Sequence, residues 1–100
     1  MKQEEIATKV KEAVESDPNR KYIKSISLFG SFLHGDNRSD SDIDLLYETK
    51  GTMSLFESAA MHYQLEQKLG RKVDFVDKDS VIPQLKKEII SKAKKIYERK

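Results

Sequence analysis

The sequence predicts an α/β fold of the α+β kind, a small mixed β-sheet with helices packed on one face, in the order α-β-β-α-β-α. Three observations predict it. Apolar residues recur at helical spacing near both ends and in the middle of the chain. Three short segments between those helices carry the apolar or alternating pattern of strands. No repeat and no low-complexity linker divides the 100 residues, so one domain spanning residues 1–100 is expected. A chain of this size buries roughly 60–70% of the surface that it exposes when unfolded, enough to stand without staples.

Taken in order, Ile6, Val10 and Val14, with Ala7 and Ala13 beside them, put an apolar stripe on a helix from Lys2 to about Ser16. Asp17-Pro18-Asn19 ends it. Tyr22 to Phe29 reads as a strand, Ile26 and Leu28 alternating with Ser25 and Ser27. Gly30 breaks that strand, Ser31 to His34 suit a short helical turn, and a polar loop from Gly35 to Ser41 leads into a second strand from Asp42 to Glu48. Ser54 is placed to cap a helix running to Leu69, with Gly70 as its stop. The apolar stripe expected on that helix takes in Leu55, Phe56, Ala59, Tyr63, Leu65 and Leu69. Lys72 to Val76 is the third strand, and Ser80 to Lys100 reads as a last helix with Leu85, Ile89, Ala93 and Ile96 on one face.

Composition removes several classes of function. There is no cysteine, which excludes disulfides, thiolate zinc sites and cysteine nucleophiles together. No apolar run approaches the roughly 20 residues of a membrane span, and the first 16 residues lack the apolar core of a signal peptide, so the expected setting is the cytoplasm. Charged residues make up 36% of the chain but the net charge is only +2, so direct nucleic-acid binding is not expected. The charge is uneven. Between Gln84 and Lys100 seven Lys or Arg face two Glu, a local net of +5 that suits either a solvated helix face or an acidic partner surface or RNA.

The chemistry concentrates between Gly30 and Leu46. Alternate side chains of a strand share a face, so Asp42 and Asp44 point the same way while Ile43 and Leu45 point into the protein. At about 4 Å and an effective dielectric near 20, two like charges repel by roughly 4 kcal/mol. A hard divalent cation with oxygen ligands, Mg²⁺ above all, offsets such repulsion and brings phosphates with it. Upstream, a glycine at a strand end followed by a serine opening a helical turn frees backbone N–H groups and a hydroxyl where the local dipole favours anions, which makes Gly30-Ser31 a candidate phosphate seat. Asp74, flanked by Val73, Phe75 and Val76, is the candidate third carboxylate, since an acid in an apolar strand needs a partner. Each residue alone has a plainer reading: Asp42 capping a turn, Ser31 capping a helix, Asp74 pairing with Lys72. Asp36, Arg38 and Asp40 read as a solvated loop, from which Arg38 could reach a phosphate. His62 reads as a structural residue of its helix.

Two other motifs are excluded. Gly30 and Gly35 have P-loop spacing, but Asp36 and Asn37 stand where lysine and serine or threonine belong. A calcium loop starting at Asp40 would need glycine and glutamate where the chain has Leu45 and Gly51.

Glycine-serine, ten residues, then aspartate-any-aspartate is the signature of the polymerase beta-like nucleotidyltransferase superfamily, carried here by Gly30, Ser31, Asp42 and Asp44. With Gly35 and the wording Ser41 to Leu45, the whole chain most resembles the minimal nucleotidyltransferases of bacteria and archaea. The resemblance implies the polymerase beta-like fold and transfer of AMP from ATP to a hydroxyl, in characterised pairs a tyrosine of a HEPN-domain toxin whose antitoxin is the nucleotidyltransferase. It implies two Mg²⁺ ions shared by Asp42 and Asp44, with Asp74 on the catalytic metal and assisting removal of the hydroxyl proton, and Gly30 and Ser31 on the β- and γ-phosphates. It departs from the family at His34, where relatives often carry arginine. Two further readings stand beside it: an antitoxin that neutralises its partner by binding alone, and, more weakly, transfer to a small molecule such as an aminoglycoside.

Overall fold

The computed structural model describes residues 1–30 and 42–99. The elements are α1 (Gln3–Glu15), β1 (Ile23–Phe29), β2 (Ile43–Thr49), α2 (Leu55–Leu69), β3 (Val73–Asp77), α3 (Pro83–Lys92) and β4 (Lys94–Glu98), with single 3-10 turns at Arg20–Tyr22 and Lys78–Ser80. The strands form one mixed sheet in the order β3-β2-β1-β4. β2 and β3 run parallel, as the α2 crossover between them allows, and the other two pairings are antiparallel.

One face of the sheet carries the core. Ile26, Leu28, Ile43, Leu45, Tyr47 and Val73 meet Ile6, Val10 and Val14 of α1 and Met61, Leu65 and Leu69 of α2. Phe75 packs against the edge of this cluster, its ring stacked on Tyr47 with centroids 4.2 Å apart. Both predicted helix boundaries of α2 are present as built caps. The Ser54 hydroxyl accepts from the Glu57 N–H at 3.1 Å while Glu57 Oε1 accepts from the Ser54 N–H at 2.8 Å. Gly70 ends the helix in a left-handed conformation at φ +66°. Asp17 ends α1 through an Asx turn, its carboxylate accepting from the Asn19 N–H at 2.8 Å.

Two expectations need correction. The stripe of α2 that meets the core is Met61, Leu65 and Leu69; Leu55 and Phe56 are 81% and 87% exposed and Tyr63 also faces outward. An apolar run at helical spacing marks a face, but which face is covered depends on the sheet beneath it, and here the i, i+4, i+8 row starting at Met61 wins. The last helix is also shorter than expected. It ends at Lys92, Ala93 turns extended, and Lys94–Glu98 becomes a strand, adding a final β to the predicted order. The physical reason is the open edge of β1: pairing β4 there, Leu28 with Lys94 through Ser25 with Glu98, satisfies backbone groups that a longer helix would leave exposed. Ile96 and Tyr97 suit a strand and reach the core, while Lys94, Lys95 and Glu98 keep the new edge charged.

His62 and Glu66, one turn apart on α2, clasp the start of β3. His62 Nε2 donates to the Val73 carbonyl at 2.6 Å, and Glu66 Oε2 accepts from the Val73 N–H at 2.9 Å. The structural reading of His62 is what the geometry supports, and it matters because β3 carries Asp74. Replacing Glu66 by alanine removes one such bond and leaves a backbone donor to water, so urea denaturation should show a loss of about 1 kcal/mol. Among the described residues no helix is long and apolar enough to cross a membrane.

Candidate active site

The site lies on the sheet face opposite the helices α1 and α2, where β1 ends and β2 begins. β2 behaves as its alternation predicts: Ile43 and Leu45 are fully buried, Asp44 between them is half-buried on the other face, and Asp42 just before the strand is exposed. Register then decides Asp44's neighbours. Across the antiparallel ladder it stands opposite Phe29, and across the parallel ladder opposite Asp74. Two segments far apart in sequence thereby set their aspartates side by side on adjacent strands, which in a sheet lie about 4.8 Å apart. Asp74 itself is exposed, so water solvates it and it needs no buried partner; the facing Asp44 is a like charge.

Gly30 completes the wall. Its φ of +76° is one that side-chain-bearing residues rarely adopt, and a Cβ added there would overlap the Asp44 carboxylate. Glycine is thus needed twice, for the turn that ends β1 and for the volume that Asp44 occupies. The electrostatics follow from this crowding. Burial first, then the charges of Asp74 and Asp42, push the Asp44 carboxyl above its usual range.

Of the residues singled out from sequence, Gly30, Asp42, Asp44 and Asp74 are brought to one patch. Ser31, His34, Gly35 and the loop through Ser41, with Asp36, Arg38 and Asp40, lie outside the described residues. Among the described residues no three acidic or histidine side chains close into a group able to hold an ion by themselves. The donor set nonetheless suits a hard cation: carboxylate oxygens only, on one face, in an environment that disfavours their accumulated charge. One further acid on this face was not singled out beforehand, Glu48, although the period-two series Asp42, Asp44, Leu46, Glu48 runs straight to it.

Comparison with known proteins gives the family. The family described as Polymerase beta, Nucleotidyltransferase matches residues 8–100. The chain belongs to the polymerase beta nucleotidyltransferase family. A Methanocaldococcus jannaschii protein, named as a candidate protein adenylyltransferase, is 37% identical over 71 residues, which are 71% of this nucleotidyltransferase and 76% of the relative. A solved structure described as a candidate minimal nucleotidyltransferase superposes with a TM-score of 0.77 at 32% identity, over 93% of this chain and 94% of the other. A third similarity, of fold alone at 20% identity, is to a chain in the complex of tri-AMPylated HEPN toxin with MNT antitoxin from Shewanella oneidensis. Its TM-score is 0.69, covering 94% of this nucleotidyltransferase and 71% of that chain.

Proposed function

We propose that this nucleotidyltransferase transfers AMP from ATP to a hydroxyl of a protein partner, a tyrosine of a HEPN-domain toxin, and so serves as the antitoxin of the pair, acting in the cytoplasm as a single domain. The observation that carries the reading is the convergence of Asp42, Asp44 and Asp74 on one face beside Gly30. The names of its relatives supply the acceptor class: a protein adenylyltransferase and an antitoxin bound to an AMPylated toxin.

Each residue then has a task. Asp42 and Asp44 would hold two Mg²⁺ ions between them, with Asp74 completing the ligand set of one. When bound, these ions supply charge neutralisation of the leaving pyrophosphate and a lowered pKa at the acceptor. Asp74, at the exposed end of the row, takes the proton as the tyrosine oxygen bonds to the α-phosphorus and the bond to pyrophosphate breaks. Gly30, through its backbone N–H, and Ser31, through N–H and hydroxyl, hold the β- and γ-phosphates in line. No covalent intermediate on the protein is required.

The test is direct. Purified protein, its toxin partner, labelled ATP and Mg²⁺ are combined and the partner is weighed by mass spectrometry. Each AMP added appears as a discrete mass gain, and absence of any gain with a protein that binds ATP rejects the proposal. The exposed pair Leu55 and Phe56 favours a second reading, neutralisation by complex formation alone. Asp42→Asn with Asp44→Asn separates the two, because a binding antitoxin would still neutralise.

A further inference from the structure

Beyond the carboxylate row the same sheet face continues into a lined depression. From Asp44, the period of two leads to Leu46 and then Glu48, which stand opposite Ser27 and Ser25 of β1. β4 adds Lys95 beside Ser27. The end of α3 brings Ile90 over this strip, and Lys78 enters from the turn after β3. Ser27, Leu46, Glu48, Lys78, Ile90 and Lys95 line a cavity of about 220 Å³.

Its two ends differ in chemistry. Leu46 and Ile90 give an apolar slot, whereas the far end is a fixed donor and acceptor pair. Glu48 Oε1 accepts from Lys78 Nζ and from the Ser25 hydroxyl, each at 3.4 Å, and Lys24 Nζ lies 3.5 Å from Oε2. Burial alone would raise the Glu48 carboxyl, but Lys78 and Lys24 outweigh it and hold it below its usual range. At neutral pH the slot therefore ends in an ionised acceptor beside an ammonium donor. Glu48 is four residues from Asp44, about 13 Å along the strand, which leaves a phosphate and a sugar between them.

We infer that this depression seats the base of the nucleotide, with its ring between Leu46 and Ile90 and the edge of adenine read by Glu48 and Lys78. The inference rests on the nucleotidyl-transfer reading above and adds the residues that select the donor. Glu48 accepts from the exocyclic amine of adenine, and Lys78 donates to a ring nitrogen. Guanine and hypoxanthine present a carbonyl oxygen at the position of that amine, and it faces a carboxylate that cannot donate to it. A carboxylate aimed at the base edge is thus a rejection device as well as a contact.

Competition of ATP, GTP and ITP against a fluorescent ATP analogue, with Mg²⁺ present, tests the inference in two variants. Glu48→Gln should weaken ATP about tenfold while changing GTP and ITP by less, so that the preference for adenine narrows. Ile90→Trp, on the outer helix and itself no member of the ion pairs, should fill the slot and weaken all three by about tenfold, with the KM for the protein acceptor unchanged. An unaltered base preference in a folded Glu48→Gln protein overturns the inference. So does an Ile90→Trp variant that binds ATP normally but loses the acceptor, a result that gives the slot to the acceptor's ring instead. Thermal melts check folding, and if Glu48→Gln fails to fold, Ile90→Trp decides. A wild-type protein that binds ATP but transfers nothing rejects the proposed reaction, and the binding competition still judges the base seat.

Discussion

Asp44→Asn is expected to lower AMP transfer by roughly a thousandfold and, without metal, to make the protein more stable. Both effects have one cause. The Asp44 carboxyl is pushed above its usual range by burial and by Asp74 and Asp42, so the folded protein binds that proton more tightly than the unfolded chain does. A raised carboxyl contributes stability below the ordinary carboxylate range, and that contribution is lost as pH rises through the folded-state value. At neutral pH the ionised group is therefore a net cost. Asp44 is partly open to solvent, so the cost is screened to about 1 kcal/mol or less, a few degrees in the melting of a domain this size. Thermal melts in EDTA between pH 4 and 8 should show the variant's advantage over the wild type growing as pH rises, because the opposite trend from the depressed Glu48 carboxyl is common to both.

Adding Mg²⁺ should reverse the ranking. Ligand at a hundred times its dissociation constant stabilises the folded state by about 2.7 kcal/mol, a gain open to the wild type and closed to the variant. The same loss of charge complementarity removes about 4 kcal/mol from the transition state, hence the thousandfold. A variant that melts below the wild type in EDTA would show that the carboxylate has a stabilising partner, and the electrostatic argument would fall.

Gly30→Ala is the second large effect. The residue must hold φ +76°, which costs a non-glycine residue about 1–3 kcal/mol, and its new methyl must displace the Asp44 carboxylate. A shift of about 1 Å in a reacting constellation costs on the order of a hundredfold in rate. Transfer should therefore fall by about two orders of magnitude, with kcat affected more than ATP affinity. Gly70→Ala is the matched control. It also sits at positive φ, +66°, but nothing lies within 4 Å of its added Cβ, so it should lose similar stability and keep its activity. Equal activity losses in the two variants would mean that the backbone penalty, rather than the Asp44 contact, is responsible.

What could be read from the sequence, and what could not, divides along the range of the interactions involved. Asp42 and Asp44 were legible because the alternation that exposes them is the alternation that buries Ile43 and Leu45, a local pattern. Ser54 and Gly70 were legible for the same reason, since caps act within one helical turn. Asp74 stood out against its apolar neighbours, but its position opposite Asp44 depends on the register of two strands separated by a helix. The strand from Lys94 to Glu98 is not legible locally, because Leu85, Ile89, Ala93 and Ile96 fit a helix until the unpaired edge of β1, a tertiary feature, makes a competing offer. The exposure of Leu55 and Phe56 is not legible either, because apolar spacing says nothing about what lies opposite. Glu48 shares the face of Asp44, but its setting is not legible in the strand pattern because it comes from Lys78, 30 residues away.

The pairing of Asp44 with Asp74 has a consequence for fidelity of assembly. In a parallel pair, a slip of one residue would turn Val73 and Phe75 outward and send Asp74 into the apolar core, so the burial that fixes β3 against β2 also fixes the two acids against each other. No separate device is needed to align them. A misregistered chain would be both poorly packed and chemically silent, which makes the hydrophobic core of this small protein the quality control of its acidic site.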